Sequence, residues 1–156
     1  AIRELTKKEE ITFIVNDDID IAILVGADGI HIGQDDIPIE EVKQIAPNMI
    51  IGLSTHNSEQ AIHAVKAGAN YIGVGPIFKT TTKEDTEHSQ GLNYLKWVSE
   101  NIGIPYVAIG GIKEENIASV KEHGGQYYAM ISELTSADSM SEKVKSIREI
   151  LKEEEE

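Results

Sequence analysis

Gly68-Ala-Asn-Tyr-Ile-Gly-Val-Gly-Pro76 repeats the pattern of Gly26-Ala-Asp-Gly-Ile-His-Ile-Gly-Gln34, and that repetition decides the fold. In both stretches a glycine stands where a helix ends, as a left-handed C′ residue does. A short apolar strand starts almost at once. Gly124-Gly-Gln-Tyr-Tyr-Ala-Met-Ile-Ser132 is a weaker third copy. Helix and strand joined this tightly imply βα units and a parallel sheet. The copies are too unevenly spaced for a solenoid.

Working outward, apolar runs predict six strands, at about residues 11–15, 29–32, 49–53, 71–74, 105–109 and 127–131. They are mostly continuous in Val, Ile, Tyr or Phe, which suits strands covered on both faces. Six helical patterns alternate with them, at about residues 19–25, 39–45, 58–67, 91–101, 113–123 and 139–152. Asn57 is placed to cap the third, with Gln60 completing a capping box. Asp138 is placed to cap the last, and Pro38 sits where a first-turn proline is welcome. The first ten residues read as the last turns of a helix, so the chain is expected to begin in mid-fold.

The chain has 156 residues, 40% hydrophobic and 26% charged, which fits one domain large enough to bury a core. Its net charge is −13, with a pI near 4.7. That balance argues against nucleic acid as a partner, because such binding rests on cationic surface. There is no cysteine, hence no disulfide framework or thiolate chemistry. With no signal peptide, lipidation motif or long apolar span, no membrane association is expected and the cytoplasm is the expected compartment.

Every strand runs into polar residues or glycine at its C-terminal end: Asn16-Asp17-Asp18, Gly33-Gln34-Asp35-Asp36, Ser54-Thr55-His56, Gly75 to Lys83, Gly110-Gly111 and Ser132-Glu133. In parallel α/β barrels these loops converge on one mouth, where the site forms. Asp17 and Asp36 stand after consecutive strands, within reach of one hard cation. Mg²⁺ favours one or two carboxylates, several waters and substrate phosphate oxygens. The competing reading of an aspartate just after a strand is a helix N-cap, and for Asp17 alone the two readings are evenly matched. Asp18 and Asp35 are expected as caps or in solvent.

The fourth loop, running to Lys79-Thr-Thr-Thr-Lys83, is a candidate phosphate seat. Hydroxyls and ammonium groups are donors suited to phosphate oxygens. Lys83 suits a leaving pyrophosphate as a point charge. Gly110-Gly111 is expected to open the fifth helix, where backbone N–H groups bind anions. Ile131-Ser132, before the last helix, offers a similar cradle; a tight turn is the plain alternative for the glycine pair. His31 either lines the barrel or packs, and packing is the expectation. His56 is given no role, and His63, His88 and His123 read as surface residues. Trp97 is expected to pack its helix on the sheet.

With these residues in view, the chain closely resembles the thiamine-phosphate synthase family. The matching pieces are Ile14-Val-Asn-Asp-Asp18, Gly26 to Asp36, Ile51-Gly-Leu-Ser-Thr-His56, Tyr71 to Lys83 and Val107-Ala-Ile-Gly-Gly-Ile112. The resemblance implies a TIM barrel that joins a pyrimidine pyrophosphate to a thiazole phosphate. By matching position it implies that Asp17 and Asp36 hold Mg²⁺. Asn16, Ser54 and Lys83 would contact the pyrimidine pyrophosphate, with Lys83 and Ser54 as the catalytic candidates. Thr80, Thr81, Thr82, Gly111, Ile131 and Ser132 would contact the thiazole phosphate. Two other readings stand beside it: a TenI-like thiazole tautomerase, and a non-catalytic fragment that binds thiazole phosphate or thiamine phosphate.

Six βα units are visible of the family's eight, so the expected architecture is a single, incomplete TIM-barrel domain over residues 1–156. The family's first two strands, and the Arg- and Lys-bearing segment after the second, have no counterpart here. Tyr127 stands where the family usually has a glycine, which would crowd the thiazole phosphate end. Strands near Ile11 and Tyr127 would be open edges, and open edges invite pairing with another chain. The expectation is therefore a homo-oligomer or association with a separate N-terminal segment, and weak activity of the chain alone.

Overall fold

The computed structural model describes residues 1–78 and 91–152. The elements alternate as α1 (Ile2–Lys8), β1 (Ile14–Asn16), α2 (Ile19–Val25), β2 (Gly29–Ile32), α3 (Ile39–Ile45), β3 (Ile50–Thr55), α4 (Ser58–Ala67) and β4 (Tyr71–Val74). They continue with α5 (Gly91–Asn101), β5 (Tyr106–Ile109), α6 (Ile117–Glu122), β6 (Tyr127–Ala129), α7 (Ser132–Thr135) and α8 (Met140–Lys152). The strands form one six-stranded sheet in chain order, every pair parallel. This is an open half-barrel of βα units. Gly26 and Gly68 end α2 and α4 in the left-handed region, as the repeated pattern requires.

Successive side chains on a strand point to opposite faces. On the outer face Ile30, Ile32, Ile51, Leu53, Ile72, Val74, Tyr106 and Ala108 are buried. They share one core with Ala22, Val42, Ala61, Leu95, Val98 and Ile117 from the helices. The inner face is different. In register across the strands lie Asn16, His31, Gly52 and Tyr71, then Ser54, Gly73, Val107 and Tyr127. That face mixes polar side chains and glycine with aliphatics such as Val107, and it is less buried than the outer one, so the strands are not equally covered on both sides. Gly52 has a steric reason: a Cβ there would fall 2.1 Å from Cζ of Tyr71, whose ring lies across it.

Some sequence expectations need correction. Residues 11–13 are not strand, because Phe13 turns its N–H to the Asp28 carboxylate at 2.8 Å and its carbonyl to the Asp28 and Gly29 amides. The last strand ends at Ala129 rather than residue 131, because β5, its one partner among the described residues, ends at Ile109. The fifth expected helix begins at Ile117, not residue 113: a turn closed by Asn116 Oδ1 on the Lys113 amide precedes it. Ser139, not Asp138, caps α8, its Oγ accepting from the Glu142 amide at 3.4 Å. The short α7 is an addition that the apolar pattern does not announce. Asn57 does accept from the Gln60 amide, while Gln60 Oε1 accepts from the His56 amide, one residue before the cap. Among the described residues β1 and β6 are the sheet's two edges. Ile11 and Tyr127 beside them are each 57% exposed.

Candidate active site at the strand ends

β1 ends at Asn16, and Asp17 comes next with φ 63°. Left-handed backbone disfavours a residue with a Cβ, although Asp tolerates it better than most. The Asp17 amide donates to the His31 carbonyl at 2.8 Å, which holds the turn against β2. Past the end of β2, the Gly33 amide donates to Asp36 Oδ2 at 2.6 Å, so this carboxylate folds back over its own strand. Asp17 and Asp36 thus stand at the C-terminal ends of two paired strands. Asp18 occupies the N-cap position of α2 but makes no side-chain capping bond.

The donor set fits Mg²⁺. A carboxylate that accepts one amide hydrogen bond keeps lone pairs for a cation. Two carboxylates suit an ion that otherwise retains water and substrate phosphate oxygens. Among the described residues no group of three His, Cys, Asp or Glu converges, so a closed structural metal cage has no candidate there.

β3 runs on to Thr55, which puts Ser54 inside a strand rather than in a loop. Ser54 and Thr55 serve opposite faces. Thr55 is fully buried on the outer side, donating from Oγ1 to the Gly73 carbonyl and accepting from the Tyr94 hydroxyl, each at 2.8 Å. Ser54 Oγ, on the inner side, lies 2.9 Å from His31 Nε2. His31 Nδ1 lies 2.9 Å from the Tyr71 hydroxyl. Ser54, His31 and Tyr71 therefore form a hydrogen-bonded row across three neighbouring strands. His31 lines the inner face instead of packing in the core, and Gly73 leaves it room. Burial pushes the Tyr71 phenol up to about 12, so it stays neutral at working pH. Gln34 Nε2 reaches the Ser54 carbonyl at 2.5 Å. Sequence reasoning missed this row, since nothing local marks which residues share a register.

The remaining positions belong to the later strands. Thr80, Thr81, Thr82 and Lys83 lie outside the described residues, as do Lys79 and His88. Just before them, the Ile77 and Phe78 amides donate to the carbonyls of Ile109 and Gly110, tying the start of the fourth loop to the end of β5. Gly110 and Gly111 have φ 98° and 64° and are separated from α6 by a turn, so they do not open that helix. Asn116 Nδ2 donates to the Gly111 carbonyl at 3.0 Å. Ile131 is 59% exposed and stands at the N-cap position of α7, which Ser132 opens, so this pair precedes the short α7 and not the last helix. His56 bonds the Gly75 carbonyl through Nδ1 at 2.6 Å. Trp97 packs against the core as expected.

Two shallow cavities lie elsewhere. One of about 250 Å³, lined by Arg3, Lys7, Glu10 and Asp28 among others, sits at the N-terminal end of the sheet. The other, of about 220 Å³, lies between α4 and the end of α5. Neither is lined by the carboxylates and hydroxyls that stand at the strand ends.

Comparison with known proteins bears on the family. A family profile described as "Thiamine monophosphate synthase" matches residues 1–134. A thiamine-phosphate synthase of Pelotomaculum thermopropionicum is 51% identical over 151 residues, 96% of this chain and 69% of that relative. Its counterpart in Lawsonia intracellularis is 46% identical over 152 residues, 97% of this chain and 70% of the relative. Among solved structures, a thiamine phosphate pyrophosphorylase from Pyrococcus furiosus superposes with a TM-score of 0.88 at 39% identity. The match covers 97% of this chain and 73% of that one.

Proposed function

This chain belongs to the thiamine monophosphate synthase family, and we propose that its strand ends join a pyrimidine pyrophosphate to a thiazole phosphate, giving thiamine phosphate and pyrophosphate. The observation that carries this reading is the gathering of Asp17, Asp36 and Ser54 at the C-terminal ends of three adjacent strands. Asp17 and Asp36 would hold Mg²⁺, which when bound would offset the charge of the departing pyrophosphate. Lys83 would add a cation to the same group, and Asn16 and Ser54 would contact the pyrimidine side. Thr80, Thr81, Thr82, Gly111, Ile131 and Ser132 would hold the thiazole phosphate.

In the reaction, the bond between the pyrimidine methylene carbon and the pyrophosphate oxygen breaks, and its electron pair leaves on oxygen. The thiazole nitrogen lone pair forms the new C–N bond. The chain's contribution is to hold the two partners in line. Incubating the chain with both substrates and Mg²⁺ tests this: pyrophosphate and thiamine phosphate should appear in equal amounts, and neither should appear when one substrate is omitted.

One observation favours a second reading. The Ser54–His31–Tyr71 row is a set of groups able to hand a proton along, as a TenI-like thiazole tautomerase would need. Tautomer exchange without any pyrimidine substrate would identify that activity; binding of thiazole phosphate with no turnover would identify the non-catalytic reading. The open edges at β1 and β6, with Ile11 and Tyr127 exposed beside them, support association with a second copy or with a segment supplying further strands. Sedimentation of a compact monomer would contradict it. Among the described residues no helix is long and apolar enough to cross a membrane. Charged phosphate esters do not cross bilayers unaided, which supports the cytoplasm as the place where such substrates meet.

A further inference from the structure

We propose that Lys143, on α8, is a positioning residue that sets the spacing of the two backbone segments assigned to the thiazole phosphate. This rests on the substrate reading above. The two segments come from different βα units: the Gly110–Gly111 loop comes after β5, and Ile131–Ser132 after β6. Each is succeeded almost at once by a glutamate, Glu114 and Glu133. Lys143 Nζ pairs with Glu114 Oε2 and lies 3.3 Å from Glu133 Oε1. Ser146, one turn further along α8, bonds the other Glu114 oxygen. Glu133 Oε1 also accepts from the Glu114 amide at 3.3 Å. One ammonium group thus bridges the two loops, and a backbone amide closes the same circuit.

The bridge is sheltered. The side chains of Lys143, Glu114 and Glu133 are 29%, 30% and 18% exposed. α8 is fixed just beyond the contact: Ile147 is buried in the core, and Lys121 of α6 bonds the Leu151 carbonyl at 2.6 Å. Lys143 therefore holds a rigid position rather than wandering as a surface charge. Among the described residues the edge strand β6 has one neighbour, β5, so no second strand there fixes its far end. Without the ammonium, Glu114 and Glu133 would face one another as like charges. The loops would separate, and donors set apart by an ångström lose much of their grip on a shared anion. Lys143, paired with Glu114 and Glu133, would act through the two loops and not on the substrate itself. Asp17, Asp36 and Ser54 lie on the other half of the sheet, so their partner should not feel the change.

Direct binding of thiazole phosphate and of pyrimidine pyrophosphate, each measured by calorimetry with Mg²⁺, tests this. Lys143→Met should weaken thiazole phosphate binding by about tenfold, the scale of one charged hydrogen bond. It should leave pyrimidine pyrophosphate binding unchanged. Lys143→Arg should recover most of the loss, and Lys145→Met, on the exposed side of α8, should lose nothing. If Lys143→Met does not fold, Glu133→Gln carries the test, with the same selective loss expected. Unchanged binding of both ligands, or an equal loss for both, would overturn the assignment. Wild-type chain that binds no thiazole phosphate would overturn the substrate reading and this one with it; wild-type binding that Lys143→Met retains would overturn this one alone.

Discussion

His31 Nε2 and Ser54 Oγ lie 2.9 Å apart on the inner face of the sheet, and the same imidazole holds the Tyr71 hydroxyl at its other nitrogen. Ser54 is therefore aimed by its neighbour. His31→Leu should lower kcat by roughly tenfold and stability by about 1–2 kcal/mol, through the two hydrogen bonds lost. Ser54→Ala should cost at least as much in kcat. The double variant should be no worse than Ser54→Ala, because residues that act as a unit are not additive. Additive losses in steady-state kinetics would show that His31 does not work through Ser54.

The row depends on an empty position. A methyl at Gly52 would fall inside the Tyr71 ring. Gly52→Ala should force Tyr71 aside, break its bond to His31 and destabilise the fold by about 1–3 kcal/mol. Urea unfolding checks it; an unchanged midpoint would mean that Tyr71 moves freely and the row is not tightly built.

Both positions show what the sequence could and could not disclose. The parallel alternation was legible because each βα unit carries its own punctuation: Gly26 and Gly68 end helices, and strands start just after. The carboxylates were legible because they sit next to strand ends in sequence. The His31 row was not, because it depends on register among three strands, with His31 bonding partners 23 and 40 residues away in sequence. The extent of β6 was also hidden: Met130 and Ile131 look like strand, but pairing ends where β5 does. Helix α6 begins late because Asn116 closes a turn on Lys113, a local side-chain bond that periodicity does not register.

The outer face has its own buried chain, from the Tyr94 hydroxyl to Thr55 Oγ1 to the Gly73 carbonyl. Burial pushes the Tyr94 phenol up to about 12. Tyr94→Phe removes the first donor but leaves the second bond made. It should cost about 1 kcal/mol and leave substrate binding intact. A loss of substrate affinity comparable to that of Ser54→Ala would contradict the division between a structural and a functional face.

Stability should respond to pH at both ends. Arg3, with the Phe13 amide, holds the Asp28 carboxyl below its usual 3.8, and Lys143 and Ser146 hold Glu114 below 4.5. Depressed acids bind fewer protons folded than unfolded, so their contribution is complete above those ordinary values and is lost as pH falls through the lowered ones. Lys143 is raised above 10.5 by Glu114 and Glu133, so its share is intact below that value and lost as pH climbs through the raised one. Tyr71 and Tyr94, raised from 10 to about 12, stay protonated in the fold and subtract stability across that interval. In urea titrations the advantage of wild type over Asp28→Asn should shrink as pH drops below 3.8. An advantage that persists in acid would contradict the Arg3–Asp28 assignment.

The metal pair can be examined without turnover. Asp17→Asn and Asp36→Asn should each remove the Mg²⁺-linked part of pyrimidine pyrophosphate affinity, with thiazole phosphate affinity retained. Circular dichroism should show the same fold in both. Calorimetry giving undiminished Mg²⁺ linkage in either variant would move the ion elsewhere.

Coupling of the two substrates at the strand ends is read out by pyrophosphate release from the chain with pyrimidine pyrophosphate, thiazole phosphate and Mg²⁺ together. Pyrophosphate and thiamine phosphate should form one for one, with both lost on omission of either substrate and in Asp36→Asn. Pyrophosphate release that ignores thiazole phosphate, or no release while both substrates are shown to bind, would contradict that coupling.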